Sequence, residues 1–133
     1  MSGFDPALRV VELPGKGRGV ITARAFAAGE LIERAPVLVL SPEAWARIEP
    51  RLEGSGLEGY AFLWGPGSET AAIALGYGGL YNHSYQPNAR YVKRPELAAI
   101  DFLALRAIAP GEEVTINYGG EPDSQRPVWF EAV

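Results

Sequence analysis

Cysteine is absent from the 133-residue sequence, and histidine occurs once, at His83. The chain therefore cannot build a disulfide framework, a thiolate zinc site or a cysteine nucleophile, and one histidine is too few for a histidine-based metal centre. No apolar run approaches the ~20 residues that a membrane span needs, and residues 1–6 lack the basic start and apolar core of a signal peptide. We therefore expect no metal, no membrane partner and a cytoplasmic location, with a nuclear location or secretion into a host left open.

A basic stripe, which nucleic-acid-binding proteins usually carry, is also missing. The net charge is −4; residues 35–75 hold five acids against Arg47 and Arg51, and residues 112–133 hold five acids against Arg126. We therefore expect no direct nucleic-acid contact, and a basic, lysine-containing protein or peptide as the partner of an acidic surface. The simpler alternative, that these acids only keep a small protein soluble, stays open.

What is present is enough for one globular domain. Hydrophobic residues make up 47% and charged residues 21% of the chain, which is typical of a soluble protein with a sizeable core. We predict a single domain over residues 1–133, with its core at about residues 8–119 and a C-terminal segment over residues 120–133. Trp129 and Phe130 lie in that segment, and we expect them to dock on the body because a mobile tail rarely keeps two large aromatics.

Most of the chain has the pattern of short strands. A helix is predicted to start at Ser41 and Pro42 and to end near Glu49, before Pro50. Residues 71–75 fit a helix or a strand equally well. A glycine loop over residues 14–19 should join the first two strands. The predicted strands cover residues 8–13, 20–23, 31–40 with a break at Pro36, 97–107, and 111–119 with a tyrosine at the end.

Residues 24–32 and 106–114 form a short internal echo, identical at five of nine positions. Each copy has a turn containing Gly-Glu between apolar residues. In the second copy, Pro110 and Gly111 are expected at the centre of a type II turn. Two such turns predict two hairpins in a mostly β domain.

The single histidine lies in residues 81–88, which read Tyr-Asn-His-Ser-Tyr-Gln-Pro-Asn. Asn, Ser and Pro indicate irregular backbone, and loops placed beside a core often carry function. Residues 111–119 read Gly-Glu-Glu-Val-Thr-Ile-Asn-Tyr-Gly. We predict that these stretches are the two halves of one site.

Together these stretches resemble the motifs of SET-domain protein-lysine methyltransferases. Residues 17–20, Gly-Arg-Gly-Val, are similar to the family's first glycine motif, which is weak on its own. Residues 82–88 are similar to its Asn-His-Ser-x-x-Pro-Asn motif, and residues 111–119 to its Gly-Glu-Glu-Leu-Thr-Phe-Asp-Tyr-Gly signature. These last two motifs are highly specific in this order and at this separation. The chain length and residues 74–79 are especially similar to small, stand-alone viral and bacterial members.

The resemblance implies a mostly β, β-rich α+β fold of several small sheets, in which the C-terminal segment is threaded as a pseudoknot. It implies methyl transfer from S-adenosylmethionine to a lysine side chain of a basic protein or histone-like tail, with S-adenosylhomocysteine as the product. Because similar small viral members work as dimers, a homodimer is also expected, with residues 127–130 near the interface or the pocket.

The family's cofactor-binding positions carry over to the first glycine motif and to the Asn-His pair. The side chain of Asn82 would bind the amino-acid end of the cofactor, and the main chain of His83 would bind its adenine. The full set implied in this way is Lys16, Gly17, Arg18, Asn82 and His83.

The family's catalytic tyrosine falls on Tyr118, with Tyr60 as a second catalytic candidate. Tyr91 and Tyr60 fall near positions that shape the lysine channel. Simple packing is the alternative for Tyr60, Tyr118 and the neighbouring aromatics. A channel of tyrosines suits the reaction, since it orients the amine and desolvates a lysine whose unperturbed pKa is about 10.4.

The sequence departs from the family in three respects. The zinc-binding cysteine clusters of many chromatin members are absent. The aromatic pair that small viral members carry after the terminal Tyr-Gly is replaced by Gly120-Glu121-Pro122. Trp129 or Phe130 is therefore expected to close the cofactor pocket, and Trp129 to contribute to the substrate channel. Asn117 stands where aspartate is common.

Two other functions compete with this interpretation. The first is a SET fold that has lost turnover and binds a basic partner through its acidic face. The second is a hydrolase that uses Ser84 and His83. Adjacent residues do not easily form a nucleophile–base pair, and a Gly-x-Ser-x-Gly elbow is missing, so we disfavour the hydrolase.

Overall fold

The structure is a computed structural model that describes residues 7–127. Within that range it contains nine β-strands and one α-helix. The predicted mostly β architecture of several small sheets is therefore confirmed. In chain order the elements are β1 (Leu8–Leu13), β2 (Gly17–Thr22), β3 (Leu31–Val39), α1 (Pro42–Ile48), β4 (Ala61–Trp64), β5 (Thr70–Ala74), β6 (Asn82–His83), β7 (Ala89–Arg94), β8 (Ala99–Ala104) and β9 (Thr115–Ile116).

The strands form three sheets in this part of the chain. The largest is antiparallel, with the order β4-β5-β3-β8-β7. β1 and β2 form a hairpin, as the glycine loop predicted, and Gly17 takes the left-handed conformation at its end with φ +73°. β6 and β9 form a short parallel pair. Residues 71–75, which the pattern left between helix and strand, lie mostly in β5.

β3 runs without a break through Pro36, so the predicted interruption there is wrong. Proline lacks an N–H, and a strand accepts it only where no ladder bond is needed from that group. Here the N–H of Val37 donates to the carbonyl of Ala98 at 3.0 Å, and the N–H of Leu75 donates to the carbonyl of Pro36 at 2.8 Å. The neighbours of Pro36 thus complete the ladders on both sides of it.

The two echo segments pair with each other instead of forming two separate hairpins. Phe26 and Ile108 exchange N–H···O bonds of 3.0 and 2.9 Å. The N–H of Gly29 donates to Ala104, and the N–H of Gly111 donates to Thr22. Gly29 and Gly111 have φ of +83° and +85°, which for Gly111 agrees with the predicted type II turn. The two echo segments therefore form a pair of turns that are hydrogen-bonded to each other and connect the first and last thirds of the domain.

Helix α1 begins where the sequence predicts. The Ser41 hydroxyl accepts a hydrogen bond from the N–H of Ala44 at 3.1 Å, and Pro42 occupies the first turn. The helix ends at Ile48 and continues into a 3₁₀ turn over Glu49–Arg51. It has no buried residue and therefore lies on the surface. Across residues 7–127, no helix is long and apolar enough to span a membrane.

Two predicted strands are shorter than expected. A 3₁₀ turn over Pro95–Leu97 and a positive φ at Ala98 precede β8, which therefore starts at Ala99 and not at residue 97. β9 contains only Thr115 and Ile116, because its partner β6 ends where the chain turns after His83. As a result, Tyr118 lies beyond the end of a strand rather than on it.

Candidate active site

Two cavities lie side by side, with volumes of about 390 and 280 Å³. We call the larger the aromatic cavity, because Tyr60, Phe62, Tyr81, Tyr91 and Tyr118 line it. We call the smaller the polar cavity, because Lys16, Arg18, Glu58 and Asn82 line it. Gly59, Tyr60, Gly79 and Tyr118 line both. The two cavities therefore adjoin at a pair of tyrosines.

The two sequence motifs come together through Asn88. Its side-chain oxygen accepts from the N–H of Thr115 at 2.9 Å, and its side-chain nitrogen donates to the carbonyl of Glu113 at 2.7 Å. Asn88 is 2% exposed, so these bonds are shielded from water and hold the two segments in one register. The N–H of Ser84 also donates to the carbonyl of Ile116 at 2.8 Å. The predicted halves of one site are thus adjacent in space.

A carboxylate organises the wall of the polar cavity. Glu113 accepts from the ammonium of Lys16 at 2.6 Å and from the side-chain nitrogen of Asn82 at 2.8 Å. The same Asn82 nitrogen donates to the carbonyl of Arg18 at 3.0 Å. Side chains from the glycine loop, the Asn-His segment and the last motif are therefore fixed around one cavity.

Gly19 makes this arrangement sterically possible. A Cβ at Gly19 would lie 2.7 Å from the Asn82 nitrogen and 2.8 Å from a Glu113 oxygen, which is closer than real contacts allow. Only glycine lets the loop backbone approach the Asn82–Glu113 pair this closely. The polar cavity is therefore bordered by open backbone, by the cations Lys16 and Arg18 and by the carboxylate of Glu58. Groups of both signs suit a ligand that carries a carboxylate and a positive group.

Aromatic side chains form the wall of the larger cavity. Phe62 and Tyr91 pack edge to face with ring centroids 5.3 Å apart, and Tyr91 also contacts Phe102 at 6.2 Å. Burial raises the pKa of the Tyr91 hydroxyl, Glu121 raises it further, and Arg126 opposes both. The hydroxyl of Tyr91 therefore stays protonated at neutral pH.

Tyr118 is held at both its main chain and its hydroxyl. Its N–H donates to Nδ1 of His83 at 3.0 Å, and its hydroxyl donates to the carbonyl of Tyr81 at 2.6 Å. Burial, with smaller contributions from Tyr60 and Glu113, raises the pKa of Tyr118 to about 12. The hydroxyl is therefore fixed in direction and neutral, a state suited to orienting a substrate and not to removing a proton.

His83 contacts Tyr118 and, within the described part of the chain, is not among the residues that line either cavity. Its ring lies 4.4 Å from the Tyr85 ring and 5.3 Å from the Tyr118 ring. Burial lowers the pKa of His83, and its Nδ1 accepts a hydrogen bond, so the imidazole is neutral. The Ser84 hydroxyl accepts from the N–H of Gln86 at 3.0 Å. These contacts use both side chains structurally, which argues against the hydrolase alternative.

A buried carboxylic acid lies behind the aromatic cavity. Glu33 is 2% exposed and accepts from the Tyr81 hydroxyl at 2.6 Å and from the N–H of Tyr77 at 2.9 Å. Burial raises the pKa of Glu33, and the two hydrogen bonds only partly oppose this. Glu33 therefore fixes Tyr81, whose carbonyl receives the Tyr118 hydroxyl.

The predicted site residues are distributed between the cavities. Tyr60 and Tyr118 line both, Tyr91 lines the aromatic cavity, and Lys16, Arg18 and Asn82 line the polar cavity. Gly17 and His83 border the site without lining either cavity in the described part of the chain. Trp129 and Phe130, which were predicted to close the pocket, lie outside the described residues.

Sequence reasoning missed five charged residues at this site: Glu33, Glu58, Lys93, Glu113 and Arg126. Glu113 could have been found, since it is the second acid of the Gly-Glu-Glu motif. Lys93 could have been found from its position two residues after Tyr91, on the same face of a strand. No local signal distinguishes Glu33 from an ordinary solvated glutamate or marks Arg126.

Comparisons with known proteins give one consistent result. The profile of the SET domain matches residues 17–119. A Schizosaccharomyces pombe histone-lysine N-methyltransferase, specific for lysine 37 of histone H3, is 32% identical over 124 residues, which cover 93% of this chain and 77% of the relative. The crystal structure of a Plasmodium falciparum protein assigned as a histone methyltransferase superposes with a TM-score of 0.64 at 25% identity, covering 86% of this chain and 98% of the other.

Proposed function

The chain belongs to the SET-domain family and is a protein-lysine N-methyltransferase, and from this premise we propose that the polar cavity holds S-adenosylmethionine while the aromatic cavity admits the target lysine. Enzymes of this family generally use S-adenosylmethionine. One observation carries the proposal: the two cavities share Tyr60 and Tyr118 as a common wall. A methyl donor and a lysine amine held in adjoining cavities can meet only at that wall.

The residues of the polar cavity suit this cofactor. Arg18 supplies a cation for its carboxylate, together with Lys16, which is also paired with Glu113 at 2.6 Å, and Asn82 supplies an amide for its amino-acid end. Gly17 takes a left-handed φ of +73°. Gly19 lets the backbone approach closely, and a side chain at Gly19 would collide with Asn82. The main chain of His83 is proposed to contact the adenine. When bound, the cofactor supplies an electrophilic methyl group beside a positive sulfur.

The chain's own contribution to the reaction is position and charge. The lysine must arrive neutral, and desolvation against the rings of Tyr60, Phe62 and Tyr91 lowers the pKa of an amine. Tyr118 donates its proton to the carbonyl of Tyr81 at 2.6 Å, which fixes the direction of its hydroxyl group. A phenolic oxygen can accept as well as donate, and we propose that it accepts a hydrogen bond from the lysine amine. With a pKa of about 12, Tyr118 does not act as a base, and the proton of the amine leaves to water.

The substrate is proposed to be a lysine in a basic protein or a histone-like tail. The S. pombe relative is named for a lysine of histone H3, which supports a protein substrate of this kind. A homodimer is also proposed, with the C-terminal segment near the interface or the pocket, and light scattering at high protein concentration should give twice the 14.3 kDa mass of the chain.

Isothermal titration calorimetry tests the cofactor proposal. We expect S-adenosylmethionine to bind equally well with and without a metal chelator, because the described residues contain no group that could hold a metal ion. No binding in either condition would contradict the proposal. Labelled cofactor with basic protein mixtures then tests transfer, and cofactor binding without transfer to any lysine would instead favour the binding-module alternative.

A further inference from the structure

The aromatic cavity, where a lysine side chain is proposed to enter, carries an unexpected charge. Among the residues the structure describes there, Lys93 and Arg126 are charged and both are cationic, and no aspartate or glutamate lines the cavity. A site that received only a lysine ammonium from a basic peptide would be expected to offer carboxylates. The positive charge of this cavity therefore indicates that the substrate carries a negatively charged group close to the target lysine.

Lys93 lies on β7, two residues after Tyr91, so both side chains emerge on the same face of the strand. Within residues 7–127, Lys93 has no ion-pair partner. The arginines nearby have an acidic partner: Arg94 and Arg34 both pair with Asp101, at 3.1 and 2.6 Å. Partial burial lowers the pKa of Lys93, but the residue as a whole is exposed, so its ammonium is accessible to a ligand.

Arg126 reaches the same cavity from the C-terminal segment, and its main chain is fixed. Its carbonyl accepts from the Tyr85 hydroxyl at 2.9 Å, and its N–H donates to the Ser124 hydroxyl at 3.2 Å. Ser124 is itself tied to Asn117, whose side-chain nitrogen donates to the Ser124 carbonyl at 2.8 Å. The backbone of Arg126 is thus held in place by hydrogen bonds that connect it, through Ser124, to Asn117 in the motif of residues 111–119.

Three of the acids that suggested a basic partner line another groove, and one of them, Glu58, also lines the polar cavity. Glu49, Glu53 and Glu58 line a separate groove of about 420 Å³ beside Trp45, which meets the aromatic cavity at Gly59 and Ala61. Glu121 is close enough to raise the pKa of Tyr91 but does not line the aromatic cavity. The charged residues that line the aromatic cavity, Lys93 and Arg126, are therefore both positive, and we call this pair the cationic rim; the acids named above lie outside that lining.

We infer that Lys93 and Arg126 bind an aspartate or glutamate of the substrate, so that the enzyme selects lysines with an acidic residue close to them in sequence. This inference rests on the proposed function, because it assumes that the aromatic cavity is the lysine channel. An extended peptide advances about 3.3 Å per residue, so a carboxylate one to three residues from the lysine lies within reach of a rim cation. The same cations repel a protonated lysine and favour its neutral form.

Three fluorescent peptides test the inference, each with one lysine flanked by glutamates, by glutamines or by arginines. Fluorescence anisotropy measures their binding, and labelled S-adenosylmethionine measures transfer to them. We expect the glutamate peptide to bind on the order of 5- to 10-fold more tightly than the glutamine peptide, since each partly exposed ion pair contributes modestly. The preference should shrink as salt is raised.

The variants are Lys93→Gln, which should reduce the preference, and Lys93→Glu, which should reverse it toward the arginine peptide. Arg90→Glu is the matched control, because Arg90 is exposed on the same strand and does not line the cavity. If Arg90→Glu changed the peptide preference as much as Lys93→Glu does, the preference would depend on the overall charge of the protein and not on Lys93 and Arg126. That result would overturn the inference.

The outcomes separate this inference from the proposed function. Binding that prefers the glutamate peptide without any methyl transfer would contradict the proposed function and leave the acidic selectivity standing. Methyl transfer with equal affinity for the glutamate and glutamine peptides would overturn the selectivity alone. Tightest binding of the arginine peptide, or no binding of any peptide at millimolar concentration, would also overturn it.

Discussion

Replacing Tyr118 by phenylalanine is the most direct test of the site. The change keeps the ring, which packs 5.3 Å from His83, and removes the hydroxyl that donates to the carbonyl of Tyr81 at 2.6 Å. The N–H of Tyr118 still donates to His83. We therefore expect the variant to fold and to bind S-adenosylmethionine normally.

The expected costs to stability and to rate differ in size. One hydrogen bond to a backbone carbonyl contributes about 0.5–1.5 kcal/mol to the free energy of unfolding. Losing a preorganised polar group at a reacting centre commonly lowers the rate by about 10²–10³, which corresponds to roughly 2.7–4.1 kcal/mol of transition-state stabilisation. The loss should appear in kcat more than in KM, because the hydroxyl acts on the aligned amine and not on distant parts of the substrate.

Tyr77→Phe is the matched control. Tyr77 also donates its hydroxyl to a backbone carbonyl, that of Leu8 at 3.2 Å, and it lines neither cavity. Both variants should lose similar stability in denaturant unfolding, and only Tyr118→Phe should lose methyl transfer from labelled cofactor. A folded Tyr118→Phe variant within about threefold of the parent rate would refute the assignment. So would an equal loss of rate in Tyr77→Phe.

The pH dependence of the rate adds a second criterion. The pKa of Tyr118 is raised to about 12, so the hydroxyl remains protonated over the range in which the substrate lysine titrates. The rise in kcat/KM with pH should therefore persist in Tyr118→Phe at a lower level. Disappearance of that rise would indicate that Tyr118 acts as a base after all.

Two further predictions concern the polar cavity and the buried acid. Asn82→Ala should weaken S-adenosylmethionine binding in calorimetry more than Ser84→Ala does. Asn82 lines the polar cavity and donates to Glu113 at 2.8 Å, whereas the Ser84 hydroxyl accepts from the nearby N–H of Gln86. Equal affinities of the two variants would contradict the proposed cofactor site. Glu33→Gln should change the pH dependence of stability, because burial raises the pKa of Glu33 above 4.5 and the native state therefore holds this proton more tightly than the unfolded chain. The stability contributed by protonated Glu33 is present below pH 4.5 and is lost as the pH rises through the raised pKa. In denaturant unfolding the parent should therefore lose stability relative to Glu33→Gln across that window, and a difference that stays constant from pH 4 to pH 8 would show that the pKa is not raised.

Much of the local structure follows from the sequence alone. Ser41 and Pro42 start helix α1, and Pro110 with Gly111 makes the predicted turn, because capping and positive φ depend on a few adjacent residues. The family is also evident from the sequence, since residues 82–88 and 111–119 carry specific motifs. The prediction that these two stretches are adjacent is confirmed by the bonds of Asn88 to Glu113 and Thr115.

The tertiary structure decided what depends on partners distant in the chain. Pro36 continues β3 because Val37 and Leu75 complete its ladders, and the echo turns pair with each other through Phe26 and Ile108. Neither pairing has a local signal, since the register of strands far apart in sequence is set by the packing of the whole domain. The same holds for Glu33, which is an ordinary acid in the sequence but a buried partner of Tyr81 in the fold. The pairing of Lys93 and Arg126 at one cavity likewise depends on the fold. The two residues are 33 positions apart in the sequence, and they line the same cavity because the fold places β7 and the C-terminal segment beside it.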